Sequence, residues 1–190
     1  MSNNNNHPLG EAPWFHVIIS TGLGTGFWPW GPGTLAGFFA LLIWIGMFYL
    51  LSPLYLSIAT ILLVISTLFV GVWTDNVMEK YWGEDPRAVV IDEFFGTWIA
   101  CLAALYCPSP QYLTVMYSFI AFVTFRIIDI TKPLGCRWLD KNVHGGLGCM
   151  LDDALAGLYA IVITMILRYF NFAQLIHDNV VSQLPQWLQF

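Results

Sequence analysis

Charge is scarce in this chain. Of 190 residues only 12 are Asp or Glu and 7 are Lys or Arg, whereas soluble domains carry about 25% charged residues. A water-soluble globule is therefore excluded. The formal net charge of −5, with no basic patch, excludes a nucleic-acid partner. Cysteine is sparse too: Cys101, Cys107, Cys136 and Cys149 form no C-x-x-C pair, so they read as small buried hydrophobes. The polar start, Met1–His7, has no basic region and no A-x-A site before the first apolar run, which argues against a removable signal peptide. There is no internal repeat. The glycine-rich Thr21–Thr34 stretch lacks the lysine of a nucleotide loop and follows no strand. No C-x5-R or D-x-D-x-T/V phosphatase signature occurs, and Lys80 and Arg87 imitate a K-x6-R-P opening in which Ala88 replaces the proline.

Apolar and aromatic residues take the place of charge. The chain is 57% hydrophobic, with 14 Phe, 9 Trp and 8 Tyr, and its mean hydropathy is +0.66. No Asp, Glu, Lys or Arg occurs over Ala12–Thr74, Phe94–Phe125 or Ala154–Leu167. A spanning helix needs about 20 mostly apolar residues. The first run accommodates two, Thr34–Leu51 and Leu54–Trp73, turning at Ser52-Pro53. The second divides at Cys107-Pro108-Ser109-Pro110 into a short helix ending near Tyr106 and another over Tyr112–Asp129; the third gives a last span over Asp152–Phe170. The fold class is all-α, a polytopic membrane bundle of about five hydrophobic helices. A polar tail (1–13), a membrane domain (14–170) and a C-terminal tail (171–190) complete the expected layout.

The charges that exist are gathered. Eight lie between Asp75 and Glu93 and eight between Arg126 and Asp153, leaving Glu11, Arg168 and Asp178. Five passes put both charged segments on one side, together with six of the seven Lys and Arg residues, whereas four passes with a re-entrant third segment would split them; five is the preferred reading. The positive-inside bias makes that side cytoplasmic.

These segments hold the candidate chemistry. Asp75 and Glu79 are four apart and share a helix face; Asp92 and Glu93 open the third helix; Arg126 and Asp129 share a face before Lys132-Pro133. Asp140, Asn142 and His144 precede a pair, Asp152 and Asp153, expected at the start of the last helix, where capping is an alternative role. Gly33 and Thr34 would present backbone amides at a helix N-terminus, a setting suited to phosphate. Converging carboxylates repel unless a cation neutralises them. Hard oxygen donors with no Cys/His ligand set point to Mg²⁺ rather than zinc.

Four blocks carry a family resemblance. They are G-x-G-x-x-P-x-x-P-G-T (Gly24–Thr34), V-x-D-E-F-x-G-x-W (Val90–Trp98), F-R-x-x-D-x-x-K-P (Phe125–Pro133) and W-x-D-x-N-V-H-G-G-x-G-x-M-x-D-D-x-x-A-G (Trp138–Gly157). Together they resemble phosphatidylglycerophosphatase A over about Trp14–Arg168. The resemblance implies a bacterial inner-membrane enzyme that needs Mg²⁺ and removes the terminal phosphate of phosphatidylglycerophosphate, a phospholipid in the bilayer. Taking the chemistry of the residues together with this resemblance, Asp75, Glu79, Asp92, Glu93, Asp129, Asp152 and Asp153 are the candidate metal ligands. Asp92, Asp129, Arg126, Lys132 and His144 are the candidate catalytic residues, and Gly33, Thr34, Arg126 and Lys132 the candidate phosphate contacts. Water and an aspartate both stand as nucleophile. A transporter relaying ions through intramembrane acids, and a phosphatase for phosphatidic acid or a polyprenyl phosphate, are the competing readings.

Overall fold

The computed structural model of the chain describes residues 12–83, 86–105, 110–133 and 135–183, leaving aside the side chains of 140, 141 and 180–183. Most of the expected N-terminal tail, residues 107–109 of the expected break, the Asp140 side chain and residues 184–190 lie outside the described residues. All regular structure among the described residues is helical.

Proline sets the main boundaries. Helices α2 (Pro32–Leu50) and α3 (Pro53–Trp82) each begin on a proline, at a position whose N–H has no intrahelical partner anyway. The turn between them is the expected Ser52-Pro53. Helix α5 (Gln111–Thr131) follows Pro110 and ends where Lys132 adopts φ 43°, a left-handed cap ahead of Pro133. Helix α3 runs nine residues beyond the expected Trp73, so Asp75 and Glu79 are helical. Between α3 and α5 stand helix α4 (Ile91–Cys101) and a 3₁₀ turn, Leu102–Ala104. Short helices α1 (Trp14–Ser20) and α6 (Cys136–Asn142) flank this set. Helix α7 (Gly145–Tyr169) leads into α8 (Phe172–Gln183), which occupies much of the segment expected as a C-terminal tail.

Helices α2, α3, α5 and α7 are long and apolar enough to cross a membrane. The fifth pass is α4 with its 3₁₀ turn. It starts level with the beginning of α2 and the end of α3, around one cavity. It reaches the opposite end of the bundle, where Arg168 near the end of α7 donates to the carbonyls of Ala103 (3.1 Å) and Leu105 (3.0 Å). The two charged segments accordingly share one end.

Burial explains how so short a helix can serve. All of α4 from Phe94 to Cys101 is buried, enclosed by α2, α3, α5 and α7. The surrounding helices turn apolar side chains outward instead, among them Leu42, Ile61, Leu62, Phe69, Ile127, Val162 and Ile166. Exposed Trp14, Trp28 and Trp30 at the charged end, and Tyr49, Tyr55 and Tyr169 at the other, are placed as membrane-interface aromatics are. Two indoles buried in the bundle find partners, as an apolar surround demands. Trp98 Nε1 donates to the carbonyl of Ala40 (3.1 Å), and Trp44 Nε1 to Thr60 Oγ1 (3.0 Å).

Small residues bring α4 and α7 into backbone contact. A Cβ on Gly157 would lie 3.0 Å from the Gly96 carbonyl oxygen and 2.9 Å from Ile99 Cγ2, and one on Gly96 would collide with the Phe125 ring. Helices in lipid associate through such close approach, since burying apolar surface gives them little drive. Gly157→Leu should therefore cost about 1–3 kcal/mol by overpacking, seen as a lower Tm of the detergent-purified protein. A Tm equal to wild type would refute this contact.

Candidate functional site

Five helix ends surround one cavity of about 380 Å³. The start of α2 gives Pro32 and Gly33; the end of α3, Asp75 and Glu79; the turn before α4 and its first residues, Pro86, Arg87, Val89, Val90, Asp92 and Glu93. The end of α5 gives Asp129 and Lys132, and the α7 region Val143, His144, Gly145, Gly148, Cys149, Asp152 and Asp153. All seven acids expected as metal ligands line this one space.

Three of them converge. Asp129, Asp152 and Asp153 each offer a carboxylate oxygen, and these atoms lie within 4.8 Å of one another. Asp152 and Asp153 are 5% and 3% exposed. Asp153 Oδ2 is buried with no hydrogen-bond partner among the described residues. Lys132 Nζ lies 2.6 Å from Asp152 Oδ2, so this end of the cluster is partly neutralised. A group of nearly dry carboxylates is stabilised by compensating positive charge or by taking up protons. Hard oxygen donors at this spacing could hold a divalent cation of the Mg²⁺ or Ca²⁺ type.

The Asp pair does not start its helix, contrary to expectation. Helix α7 begins at Gly145, so Asp152 and Asp153 lie two turns inside and cap nothing. The glycines in His144–Gly148 read as a loop, yet here they let the helix pack closely. A Cβ on Gly146 would stand 2.7 Å from the Val72 carbonyl oxygen and 2.8 Å from Asp75 Cβ. Asn76 Oδ1 accepts the Gly146 N–H at 3.1 Å and secures the start of α7 to α3. His144 holds the N-cap position, exposed at the cavity rim.

Arg126 takes a different place from the one its spacing suggests. Its Nη1 pairs with Glu93 and donates to Asp129 Oδ2 at 2.9 Å, while Nη2 reaches Thr34 Oγ1 at 3.4 Å. Neither Arg126 nor Thr34 is among the residues lining the cavity. The guanidinium is occupied with holding two acids from behind. The Glu93 carboxylate also packs directly on Gly33, where a Cβ would collide with it. The Glu93 carboxyl group therefore sits against the α2 terminus, where Gly33 also lines the cavity.

Asp92 is fixed from two sides. Its Oδ1 accepts the Glu93 N–H (3.0 Å), and its Oδ2 accepts the Cys149 thiol (2.8 Å). Cys101 and Cys136 are buried as expected, but Cys149 is a cavity residue. Its spacing from Asp152 and Asp153, three and four residues, would have revealed this had the helix been started at Gly145. Arg87 is the second cavity residue that motif reading passed over.

The glycine-rich segment before α2 acts as a brace. Val90 N–H donates to the Ser20 carbonyl at 2.7 Å, and Val89 N–H closes the 86–89 turn on the Pro86 carbonyl at 2.8 Å. Gly26 lies so close to the Ala88 carbonyl that a Cβ there would collide with it. Together these contacts set the turn that carries Arg87.

Comparison with known proteins places this architecture. The family model for phosphatidylglycerophosphatase A matches residues 18–168. A Bacteroides thetaiotaomicron protein provisionally named phosphatidylinositol-3-phosphatase is 43% identical over 153 residues, covering 80% of this chain and 93% of its own. The phosphatidylglycerophosphatase A of Escherichia coli is 37% identical over 147 residues, covering 77% and 78% respectively. That of Haemophilus influenzae is 30% identical over 166 residues, covering 86% and 96%. No solved structure matches the chain. The chain belongs to the phosphatidylglycerophosphatase A family, and it is a membrane-embedded phosphatase.

The Arg126 contacts make a stability prediction. Arg126→Met leaves Glu93 and Asp129 facing each other without their shared cation, a loss of about 3–5 kcal/mol measurable as reduced Tm. Arg126→Lys restores charge but not the planar fork, so it should recover only part. A Met variant as stable as wild type would show that Arg126 holds neither acid.

Proposed function

We propose that this chain hydrolyses the terminal phosphomonoester of phosphatidylglycerophosphate to phosphatidylglycerol and inorganic phosphate, with Mg²⁺ held by Asp129, Asp152 and Asp153. The observation that carries the reading is the convergence of these three carboxylates at the end of a membrane bundle, with Asp153 Oδ2 buried and without a hydrogen-bond partner among the described residues. Asp75, Glu79 and Asp92 line the same space as further oxygen donors, while Glu93 is engaged by Arg126. Mg²⁺, when bound, supplies Lewis-acid charge to the phosphoryl oxygens.

The protein's own groups do the rest. Lys132 carries positive charge beside the cluster, where charge on the phosphoryl oxygens is stabilised. Asp92, oriented by Cys149 and by the Glu93 amide, takes a proton from the attacking water. The water oxygen bonds to phosphorus as the bond from phosphorus to the glycerol oxygen breaks. His144 at the rim gives a proton to that leaving oxygen. Arg126 keeps Asp129 and Glu93 in place. The acyl chains stay among the lipid-facing helices, so the headgroup is reached without extracting the lipid. Six of the seven Lys and Arg residues fall in the two segments bordering the cavity, which supports a cytoplasm-facing site in a bacterial inner membrane.

A second reading has its own support. The Bacteroides relative is named for a phosphoinositide 3-phosphate, which is also a phosphomonoester on a lipid headgroup. Phosphate release by the purified chain from phosphatidylglycerophosphate, phosphatidylinositol 3-phosphate and phosphatidic acid ranks the three. Turnover is expected to be fastest on the first, to cease with EDTA and to return with Mg²⁺. Persistence in EDTA would overturn the metal assignment, and preference for another lipid the substrate.

Site variants provide a further check. Asp129→Asn and Asp153→Asn should each lower kcat by about 10²-fold or more with normal insertion and yield. His144→Ala should cost at least about tenfold, toward the lower end of what general acids contribute. Near-wild-type rates would remove the residue concerned from the mechanism.

A further inference from the structure

We infer that Arg87 binds the phosphodiester of the substrate and so selects lipids that carry a second phosphate besides the one removed. This rests on the reading of the cavity as a lipid-phosphomonoester site and names the group that recognises the rest of the headgroup.

Charge accounting leads to it. The cavity is lined by seven carboxylates and, among the described residues, by two permanent cations, Lys132 and Arg87. Lys132 is committed to Asp152 at 2.6 Å. Arg126 lies behind the wall, held by Glu93 and Asp129. Arg87 differs from both: it lines the cavity, is solvent-exposed, and has no carboxylate partner among the described residues.

A headgroup with a monoester at one end and a diester at the other brings two anions into this acidic space. The monoester belongs with the Asp129–Asp152–Asp153 cluster. The diester, too, would be repelled unless a cation faced it. A guanidinium suits that task, because its fork matches two phosphate oxygens at once. Its support is also defined. The 86–89 turn is closed by its own hydrogen bond, tied to Ser20 through Val90, and held against Gly26. Such bracing fixes the backbone that carries Arg87 and lowers the ordering cost of a headgroup contact. Both candidate substrates named above contain the diester, whereas phosphatidic acid does not.

The test uses the full-length purified chain with Arg87→Ala and Arg87→Lys. For phosphatidylglycerophosphate, Arg87→Ala should raise KM about tenfold, as expected for a lost charge-assisted contact, and leave kcat within about twofold. Arg87→Lys should recover part of that loss. Titration with dihexanoyl phosphatidylglycerol, which keeps the diester and has no monoester, should show correspondingly weaker binding by Arg87→Ala. This arm needs no turnover, so it judges Arg87 even if wild type proves inactive on phosphatidylglycerophosphate, the result that would defeat the functional reading alone. Equal binding of that lipid by wild type and Arg87→Ala overturns the inference. So does a fall in kcat with KM unchanged, which would assign Arg87 to the reacting phosphate.

Discussion

Backbone contact between α4 and α7 governs where the acidic side chains meet. Gly96 and Gly157 let the two helices approach until the carbonyl oxygen of one helix touches the Cα surface of the other. Asp92 and Glu93 lie one turn before Gly96, and Asp153 one turn before Gly157. Closing the helices at the glycines therefore brings these acids together at the same level. Phe125 fills the space over Gly96 and draws in α5, so Asp129, one turn further along, joins the group. A packing rule for helices in lipid thus becomes a rule for assembling charge.

That assembly would be unstable without internal compensation, which the fold supplies unequally. Arg126 is spent on Glu93 and Asp129, and Lys132 on Asp152. Asp153 keeps one buried oxygen without a hydrogen-bond partner among the described residues. The structure thus combines a neutralised outer layer with an under-compensated centre. An uncompensated buried carboxylate is costly in a resting protein, and it is what a cation-binding centre has to offer. Lys132 adds local strain: a non-glycine residue at φ 43° is an uncommon conformation of the kind that recurs at functional sites.

Much of this was legible in the sequence. Charge-free runs located the spanning helices, and Ser52-Pro53 located the turn between α2 and α3, because proline and apolar length act locally. The two charged segments implied one polar end, and the cavity gathers all seven expected acids. What escaped reading depended on contacts between distant segments. His144–Gly148 has the composition of a loop, and its helicity follows from packing against α3. Starting α7 too late hid the alignment of Cys149 with the Asp pair. Arg126 has the spacing of a cavity residue, but the acid that occupies it, Glu93, comes from another helix. The Thr21–Thr34 glycines suggested an anion loop, whereas Gly26 is needed for the close approach of the 86–89 turn.

The enclosure of α4 has a consequence for life in different membranes. Hydrophobic mismatch acts on helices that touch acyl chains, which tilt or deform their surroundings when the bilayer thickens or thins. From Phe94 onward α4 is walled off by its neighbours, so its length answers only to protein packing. It behaves as a fixed axle inside a ring of four helices that absorb changes in bilayer thickness. Asp92 and Glu93 ride on that axle, so their place along the bundle is set by protein packing rather than by direct contact with lipid.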